Sequence, residues 1–336
     1  MTRFNKTLVT GATGLVGNNV VRLLLAQGRA VRVLQRGSCD PRPLAGLDVE
    51  LIRGDVCDPE SVRKACEGVD QIVHAAGHVH IGWTGVDKHQ AVNVEGTRNV
   101  IESAIASGAR LVHVSSVDAL GFGTRDKPGH EESPPQVSTI PYPATKRQAE
   151  QLVLDAVSRS LHAVIVNPVY MFGPWDWKPS SGRMLIEVAH NKGLFPPRGG
   201  NDFCDVRDVA AGILAAGERG QVGRRYILGG ESLSYWELWR LIARVTGAMR
   251  PLKRVDRLTV KIAGWTGDLW GRITGREPDL NSAAVEMSRL PHHFTYARAR
   301  DELGYAPRPA SEAVQAAYEW FVEHGYLKAR KNREKR

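Results

Sequence analysis

The sequence predicts an α/β fold: a doubly wound parallel sheet with a smaller, mostly helical C-terminal lobe. Three observations predict it. From Thr7 to about Val166 short apolar runs alternate with helical patterns, as repeated strand-helix-strand units require. The runs are apolar throughout rather than alternating, as in a parallel sheet covered by helices on both faces. After Asn201 the pattern loses this regularity, which places a second lobe there.

In order, TLVT starts the sheet and LVGNNVVRLLLAQG the first helix. AVRVL, VELIR, QIVHAA and RLVHVSS add strands, with a short helix after Asp58 and a long one through Gly108. Two stretches interrupt the pattern, Phe122 to Ser138 and Phe172 to Asn201, and their Gly and Pro content marks them as loops near a site. A helix near Val206 to Glu218, a strand RRYIL, a helix SYWELWRLIARVTG and a last helix ASEAVQAAYEWFVEHG follow. Between them, Leu258 to Thr274 resembles a membrane segment until Lys261, Asp268 and Arg272 interrupt it. About 20 apolar residues are needed to span a bilayer, so a buried or interface amphipathic helix is expected, and no membrane span.

Composition narrows the function. With 336 residues, 42% apolar and 24% charged, the chain is an ordinary globular one, able to bury roughly three quarters of its unfolded surface. Cys39, Cys57, Cys66 and Cys204 form no C-x-x-C or Cys/His cluster, so neither a metal site nor a disulfide framework is expected, and a reducing cytoplasm fits. The N-terminal residues carry no apolar h-region, so no signal peptide is expected. Of the net charge of +9, more than half lies in a tail at 328–336, where six basic residues face one acidic. No aromatic residues interleave with it beyond Tyr326, so it reads as a solvated terminus and nucleic acid is set aside.

After LVT comes Gly11-x-x-Gly14-x-x-Gly17, leading into a helix. Glycines permit a tight turn and close backbone approach, and the helix N-terminus attracts a pyrophosphate. Gly11, Thr13, Gly14, Leu15 and Val16 are the candidate cradle. A dinucleotide site for NAD usually carries an acidic residue about 20 positions on, at the tip of the second strand. Here the tip reads Leu34-Gln35-Arg36, and a guanidinium favours a ribose 2′-phosphate, hence NADP(H). Asp55 and Val56 after the third strand, and Ala75, Ala76 and Gly77 after the fourth, are further candidates, Asp55 as an acceptor from the adenine amino group.

Tyr142 and Lys146 share a helix face at i,i+4, one loop beyond the strand that ends at Ser115 and Ser116. Active sites of open α/β sheets lie at such carboxyl ends. A neighbouring ammonium would draw the phenol, ordinarily near pKa 10, towards working pH. Tyr142 then serves as general acid or base, Ser116 bonds the same substrate oxygen, and Lys146 also holds the nicotinamide ribose.

TGATGLVG, GDV, HAAG, NVEGTRNV, VSSVDALG, YPATK and NPVYMFGP, in this order, resemble an extended short-chain dehydrogenase/reductase, over nearly the whole chain. The resemblance implies a Rossmann domain, a C-terminal substrate domain, and a Ser116-Tyr142-Lys146 triad, with Asn93 assisting in some members. The organisation read here is residues 1–170 as the dinucleotide-binding domain and 171–327 as mainly substrate lobe, a strand and helix returning to the first domain near 203–229. VRVLQR resembles the NADPH-using dihydroflavonol reductase branch. GRRYILGGESLSYWEL, ITGREP and ARDELGYAPRP resemble its bacterial relatives, the hopanoid-associated sugar epimerase group. Pro168 and Tyr170, before Phe172-Gly173-Pro174, resemble the segment that passes the nicotinamide. The family also implies a homodimer.

Asp118, two residues after Ser116, matches the place of the glutamate base in related sugar-nucleotide dehydratases, yet it reads more readily as a capping or loop carboxylate. His113 reads as a strand residue, while His78, His80 or Trp83, just past the fourth strand, is a candidate to line the pocket. Asp208 reads as structural, an N-terminal cap. Trp236, Trp239, Trp265 and Trp270 hint at an apolar substrate, although tryptophans at helical spacing are usually core. The expected activity is NADPH-dependent reduction of a small-molecule ketone or aldehyde. A nucleotide-sugar epimerase or dehydratase with tightly held cofactor is the alternative, and a cofactor-sensing regulator on the same fold a third.

Overall fold

The parallel sheet forms where short runs of β-branched and apolar residues end in glycine or small-residue turns. The computed structural model describes residues 4–135 and 138–329, so most of the expected basic tail lies outside the described residues. The strands are β1 (Lys6–Thr10), β2 (Ala30–Gln35), β3 (Glu50–Arg53), β4 (Gln71–His74), β5 (Arg110–Val114), β6 (Ala163–Pro168), β7 (Tyr170–Phe172), β8 (Gly200–Asp205), β9 (Arg225–Leu228) and β10 (Glu231–Ser234). The helices are α1 (Leu15–Ala26), α2 (Pro59–Cys66), α3 (Val86–His89), α4 (Gly96–Ser107), α5 (Pro141–Val157), α6 (Gly182–Ala189), α7 (Val206–Arg219), α8 (Tyr235–Thr246), α9 (Arg257–Thr274), α10 (Ser282–Arg289), α11 (Ala297–Leu303) and α12 (Ala310–Glu323).

Seven strands form one sheet in the order β3-β2-β1-β4-β5-β6-β9, and every pairing in it is parallel. The order reverses between β1 and β4, which opens a crevice at the carboxyl ends. Val20, Val21 and Leu24 of α1 and Val209 and Ile213 of α7 cover one face. Val62 of α2, Val100 and Ile101 of α4 and Val153 of α5 cover the other. β3 departs from the both-faces expectation: it is an edge strand, and Glu50, Leu51 and Arg53 are exposed. α2 starts where Asp58 accepts hydrogen bonds from the Glu60 and Ser61 amides at 3.2 and 3.3 Å.

The chain leaves the large sheet after β6 and returns at β9. In between, β7 and β8 join β10 in a second sheet of three strands, order β10-β8-β7, which the sequence reading did not separate. Phe172, Phe203, Leu185, Leu238, Val314 and Phe321 form the core of this lobe, and Trp239 packs against it. The Phe172 to Asn201 stretch is not all loop, since it contains α6. At α9 the helix forms as expected, but the core expectation for its tryptophans and the buried alternative for the helix fail: Trp265 and Trp270 are exposed, and Gly264 is its sole buried residue. The physical reason is that small residues, not large ones, face the protein there. No helix among the described residues is long and apolar enough to cross a membrane.

Candidate active site

The glycine loop is built by close approach. Gly11 has φ +73°, and a Cβ there would lie 2.6 Å from the Ala75 carbonyl group at the end of β4, so a side chain would push the loop off the sheet. Gly17 is pressed against the Gly11 carbonyl in the same way. Gly14 precedes α1 and offers no side-chain cap, leaving the first-turn N–H groups available to an anion. Thr13 and Val16 are half-buried beside buried Leu15. This cradle fits a dinucleotide pyrophosphate.

Arg36 stands exposed beyond β2 and lines, with Gln35, Arg53 and Leu51, a cavity of about 410 Å³. Arg53, at the end of β3, was missed from sequence, although its place at a strand's carboxyl end was a signal. Neither guanidinium has an ion-pair partner among the described residues. Asp55 accepts from the Cys57 amide at 3.0 Å, and Val56 is buried against Gly96, its carbonyl accepting from Asn99 at 2.9 Å. Ala75, Ala76 and Gly77 leave the end of β4 open, the Ala76 amide donating to the Thr10 hydroxyl at 3.3 Å.

Ser116, Tyr142 and Lys146 are brought together, each nearly buried. Ser116 follows β5 and caps a short 3-10 turn, its hydroxyl accepting from the Asp118 amide at 3.2 Å. Tyr142 and Lys146 lie one turn apart at the start of α5, where Pro141 suits the first helical position. The Tyr142 hydroxyl is hydrogen-bonded with the Ser116 side chain. Burial raises the phenol above its ordinary range, the Asp118 carboxylate adds to this, and the bond with Ser116 opposes it. Lys146 Nζ donates to the Val114 carbonyl at 2.7 Å. Burial lowers its ammonium to about 8, against the pull of Glu150 and Asp118.

Glu150, one further turn along the same face, escaped the sequence reading. It is buried, accepts from Asn167 Nδ2 at 2.9 Å and is ion-paired with Arg225. The same Asn167 amide donates to the Ser116 carbonyl at 2.9 Å, so the serine, β6 and the lysine helix are tied together. His113 is a buried strand residue, as expected, and burial beside Lys146 keeps it neutral by lowering its pKa.

Asn93 sits in a π-helical turn, Gln90–Glu95, a distortion frequent at functional sites. Its carbonyl oxygen accepts from the His78 amide at 2.7 Å, and its amide donates to the His78 carbonyl and the Thr145 hydroxyl, both at 3.1 Å. The side chain therefore braces the loop after β4 against α5. Pro168 ends β6. The Tyr170 side chain is turned into the lobe: its ring packs 5.3 Å from Phe172 and its hydroxyl donates to the Ser181 carbonyl at 2.9 Å. Its ring and hydroxyl thus belong to the lobe's aromatic core, next to the segment Phe172-Gly173-Pro174.

The histidines after β4 cluster over Tyr142: His78 and His89 rings lie 4.5 Å apart, and His89 is 6.2 Å from Tyr142. His80 meets Glu277 at 2.8 Å and the Trp83 indole donates to Ser282 at 2.7 Å, so these two anchor the lobe. Asp118 is no cap; one oxygen is 3.2 Å from the Ser116 hydroxyl and the other 3.5 Å from His292 Nε2. His292 arrives from the end of the chain, bridged to Gly123 and Asn201 and packed 4.4 Å from Phe122. Tyr235, bonded with the Asn201 side chain and facing Asp118, has its phenol pushed up to about 12 by burial. No local pattern announces His292, Tyr235 or Asn201. Asp205, not Asp208, caps α7 by accepting from the Arg207 amide at 2.8 Å, while Asp208 pairs with Arg308 at 2.8 Å.

Comparison with known proteins supplies the family. Residues 7–229 match the model of the NAD dependent epimerase/dehydratase family. The chain belongs to that family. Within it, sterol demethylase protein B of Methylococcus capsulatus is 36% identical over 326 residues, covering 96% of this chain and 99% of its own. A Synechocystis protein with a provisional dihydroflavonol 4-reductase name is 34% identical, covering 95% of both chains. The crystal structure of gox2253 superposes with a TM-score of 0.85 at 36% identity, over 96% of this chain and 100% of that one. The protein is accordingly an NAD(P)-dependent oxidoreductase of the extended short-chain dehydrogenase/reductase superfamily, an enzyme acting on CH-OH or C=O groups.

Proposed function

We propose that the enzyme reduces a ketone or aldehyde to an alcohol with NADPH, Tyr142 serving as general acid. The observation that carries the reading is the convergence of Ser116, Tyr142 and Lys146, each nearly buried, beyond the carboxyl end of β5. Burial beside Asp118 keeps the Tyr142 phenol protonated, so a proton is held where a carbonyl oxygen gains negative charge, and Ser116 is in place to donate to that oxygen. A nicotinamide dinucleotide bound along the crevice supplies the hydride. The glycine loop would hold its pyrophosphate, and Lys146, whose ammonium donates to the Val114 carbonyl, would hold the ribose and favour the phenolate left after proton transfer. The NADP preference rests on Arg36 and Arg53 lining one cavity, with no carboxylate at the strand tip to repel a 2′-phosphate.

Titration of nucleotide-free protein with NADPH and NADH tests this. Tighter NADPH binding is expected, lost by about tenfold or more in Arg36→Ala, as removal of a charge-assisted contact implies. Tightly retained NAD(H) in the purified protein would instead support epimerase or dehydratase chemistry. That second reading has one specific observation in its favour, the Asp118 carboxylate beside Ser116 with His292 behind it.

A further inference from the structure

The outward face of α9 takes no part in the site. The inner face of this helix is made of small residues, Ala263, Gly264, Gly267 and Gly271 among them. A Cβ on Gly264 would come within 3.0 Å of Val285, and one on Gly267 would strike the Leu280 carbonyl. Asp268 adds a hydrogen bond from the Ser282 amide at 2.9 Å. The helix is thus seated on α10 without using its large side chains.

Those side chains point to solvent. Leu258, Ile262, Trp265, Leu269 and Ile273 recur at i, i+4, i+7, i+11 and i+15, which is one stripe of an α-helix. They are 67%, 48%, 57%, 57% and 72% exposed. Trp270, 62% exposed, lies beside them. Monomer surfaces rarely leave so continuous an apolar band uncovered.

The charges around the stripe are mainly basic, with Glu286 of α10 the acidic side chain that shares a groove with Lys261, Trp265 and Arg289. Lys261 and Arg272 follow its edge; Arg250, Lys253, Arg254 and Arg257 precede it and Arg276 follows. Of the two carboxylates in the segment, Asp256 caps the helix and Asp268 is turned inward. A second copy of the chain on this face would set this basic border against itself across a two-fold axis. An anionic lipid surface complements it, since each Lys or Arg gains attraction to the headgroups while Trp, Leu and Ile enter the acyl boundary.

We propose that α9 is a docking helix by which the enzyme lies on an anionic membrane surface without spanning it. Docking would bring the bilayer one helix away from the site. On its inner side α10 packs Ala283 and Met287 on Ile140, two residues before Tyr142, and Ser282 holds the Trp83 loop.

The test is flotation of the full chain with vesicles of phosphatidylcholine alone or mixed equally with phosphatidylglycerol. Binding to the anionic vesicles is expected, falling about tenfold or more in the double variant Trp265→Ser/Leu269→Ser, which removes apolar insertion. Its thermal midpoint and NADPH affinity are expected to stay as in the parent. Lys261→Glu/Arg272→Glu is expected to abolish the anionic preference, and removal of residues 330–336 to leave binding in place. Absence of vesicle binding overturns the proposal. So does binding that survives Trp265→Ser/Leu269→Ser, or that is lost on tail removal alone. Light scattering that finds a lipid-free dimer split by Trp265→Ser/Leu269→Ser would give the face to a second copy and equally overturn it.

Discussion

Lys146 carries two opposed influences, and its chemistry depends on which prevails. Burial pulls its ammonium to about 8, while Glu150 and Asp118 hold it up. Carbonyl reduction under the proposed mechanism needs both the Tyr142 proton and the Lys146 charge. Since kcat/KM follows ionisations of the free enzyme, it is expected to be level below pH 8 and to fall as pH rises through about 8. Glu150→Gln removes a carboxylate that favours the charge, so the break is expected to move to lower pH. Reduction rates that climb with pH over this range would take Tyr142 and Lys146 out of these roles. Asp118 separates the two chemistries. For a reductase, Asp118→Asn and His292→Ala are expected to cost less than about tenfold in kcat, whereas a working acid-base pair would cost about 10² to 10⁴. Measured turnover with a screened carbonyl substrate decides it. Tyr142, Lys146 and Ser116 were legible because a spacing and a strand end mark them locally. Glu150 carried the same i,i+4 signal and went unread, while His292 has no signal of its own, since only the bridges to Gly123 and Asn201 bring it to the site.

At the scale of elements, one carboxylate joins the lobe to the sheet. Glu277, between α9 and α10, accepts from the Trp83 and Thr84 amides at 2.8 and 3.0 Å, from the Thr84 hydroxyl at 2.5 Å and from His80 at 2.8 Å. Burial alone would raise its pKa, yet these bonds outweigh it and hold the group at about 2 against an ordinary 4.5. Because the folded value is the lower one, the tether's contribution is complete above pH 4.5 and is lost as pH falls towards about 2. Glu277→Ala removes the acceptor shared by four charge-assisted hydrogen bonds whose donors water can reach, and is expected to cost about 1–2 kcal/mol. The measurement is hydrogen exchange at the Trp83 and Thr84 amides, which should speed up well before the sheet amides do. Unchanged protection in that loop would mean the tether is dispensable. The helices were legible here, but not how they face. Periodicity in α9 gave an amphipathic helix, buried or at an interface, and left open which side packs; the glycines at 264, 267 and 271 were the evidence that the small-residue side does.

For the whole molecule, the large sheet was readable because each strand is short, apolar and closed by a small-residue turn, and because the glycine loop fixes where the first crossover begins. The three-stranded sheet was not, since β7 is only three residues long and β10 pairs with β8 through the half-buried sequence ESLS. The two parts are held together by more than their shared strands: Asn19 of α1 donates to the Pro174 carbonyl at 3.0 Å, and the Arg22 guanidinium lies 3.3 Å over the Trp175 ring. Both contacts sit beside the glycine loop, where the proposed dinucleotide would bind, so ligand occupancy and the junction between the parts are expected to stabilise each other. A ligand that binds only the folded chain at 100 times its Kd adds about 2.7 kcal/mol. NADPH is therefore expected to raise the thermal midpoint by about 4 °C, since the unfolding entropy of a chain this long is about 0.7 kcal/mol per kelvin. NADH at the same concentration should do less, and Arg36→Ala should bring the NADPH shift down to the NADH value without changing the midpoint of the free protein. A larger shift with NADH than with NADPH would reverse the cofactor assignment while leaving the cradle itself in place.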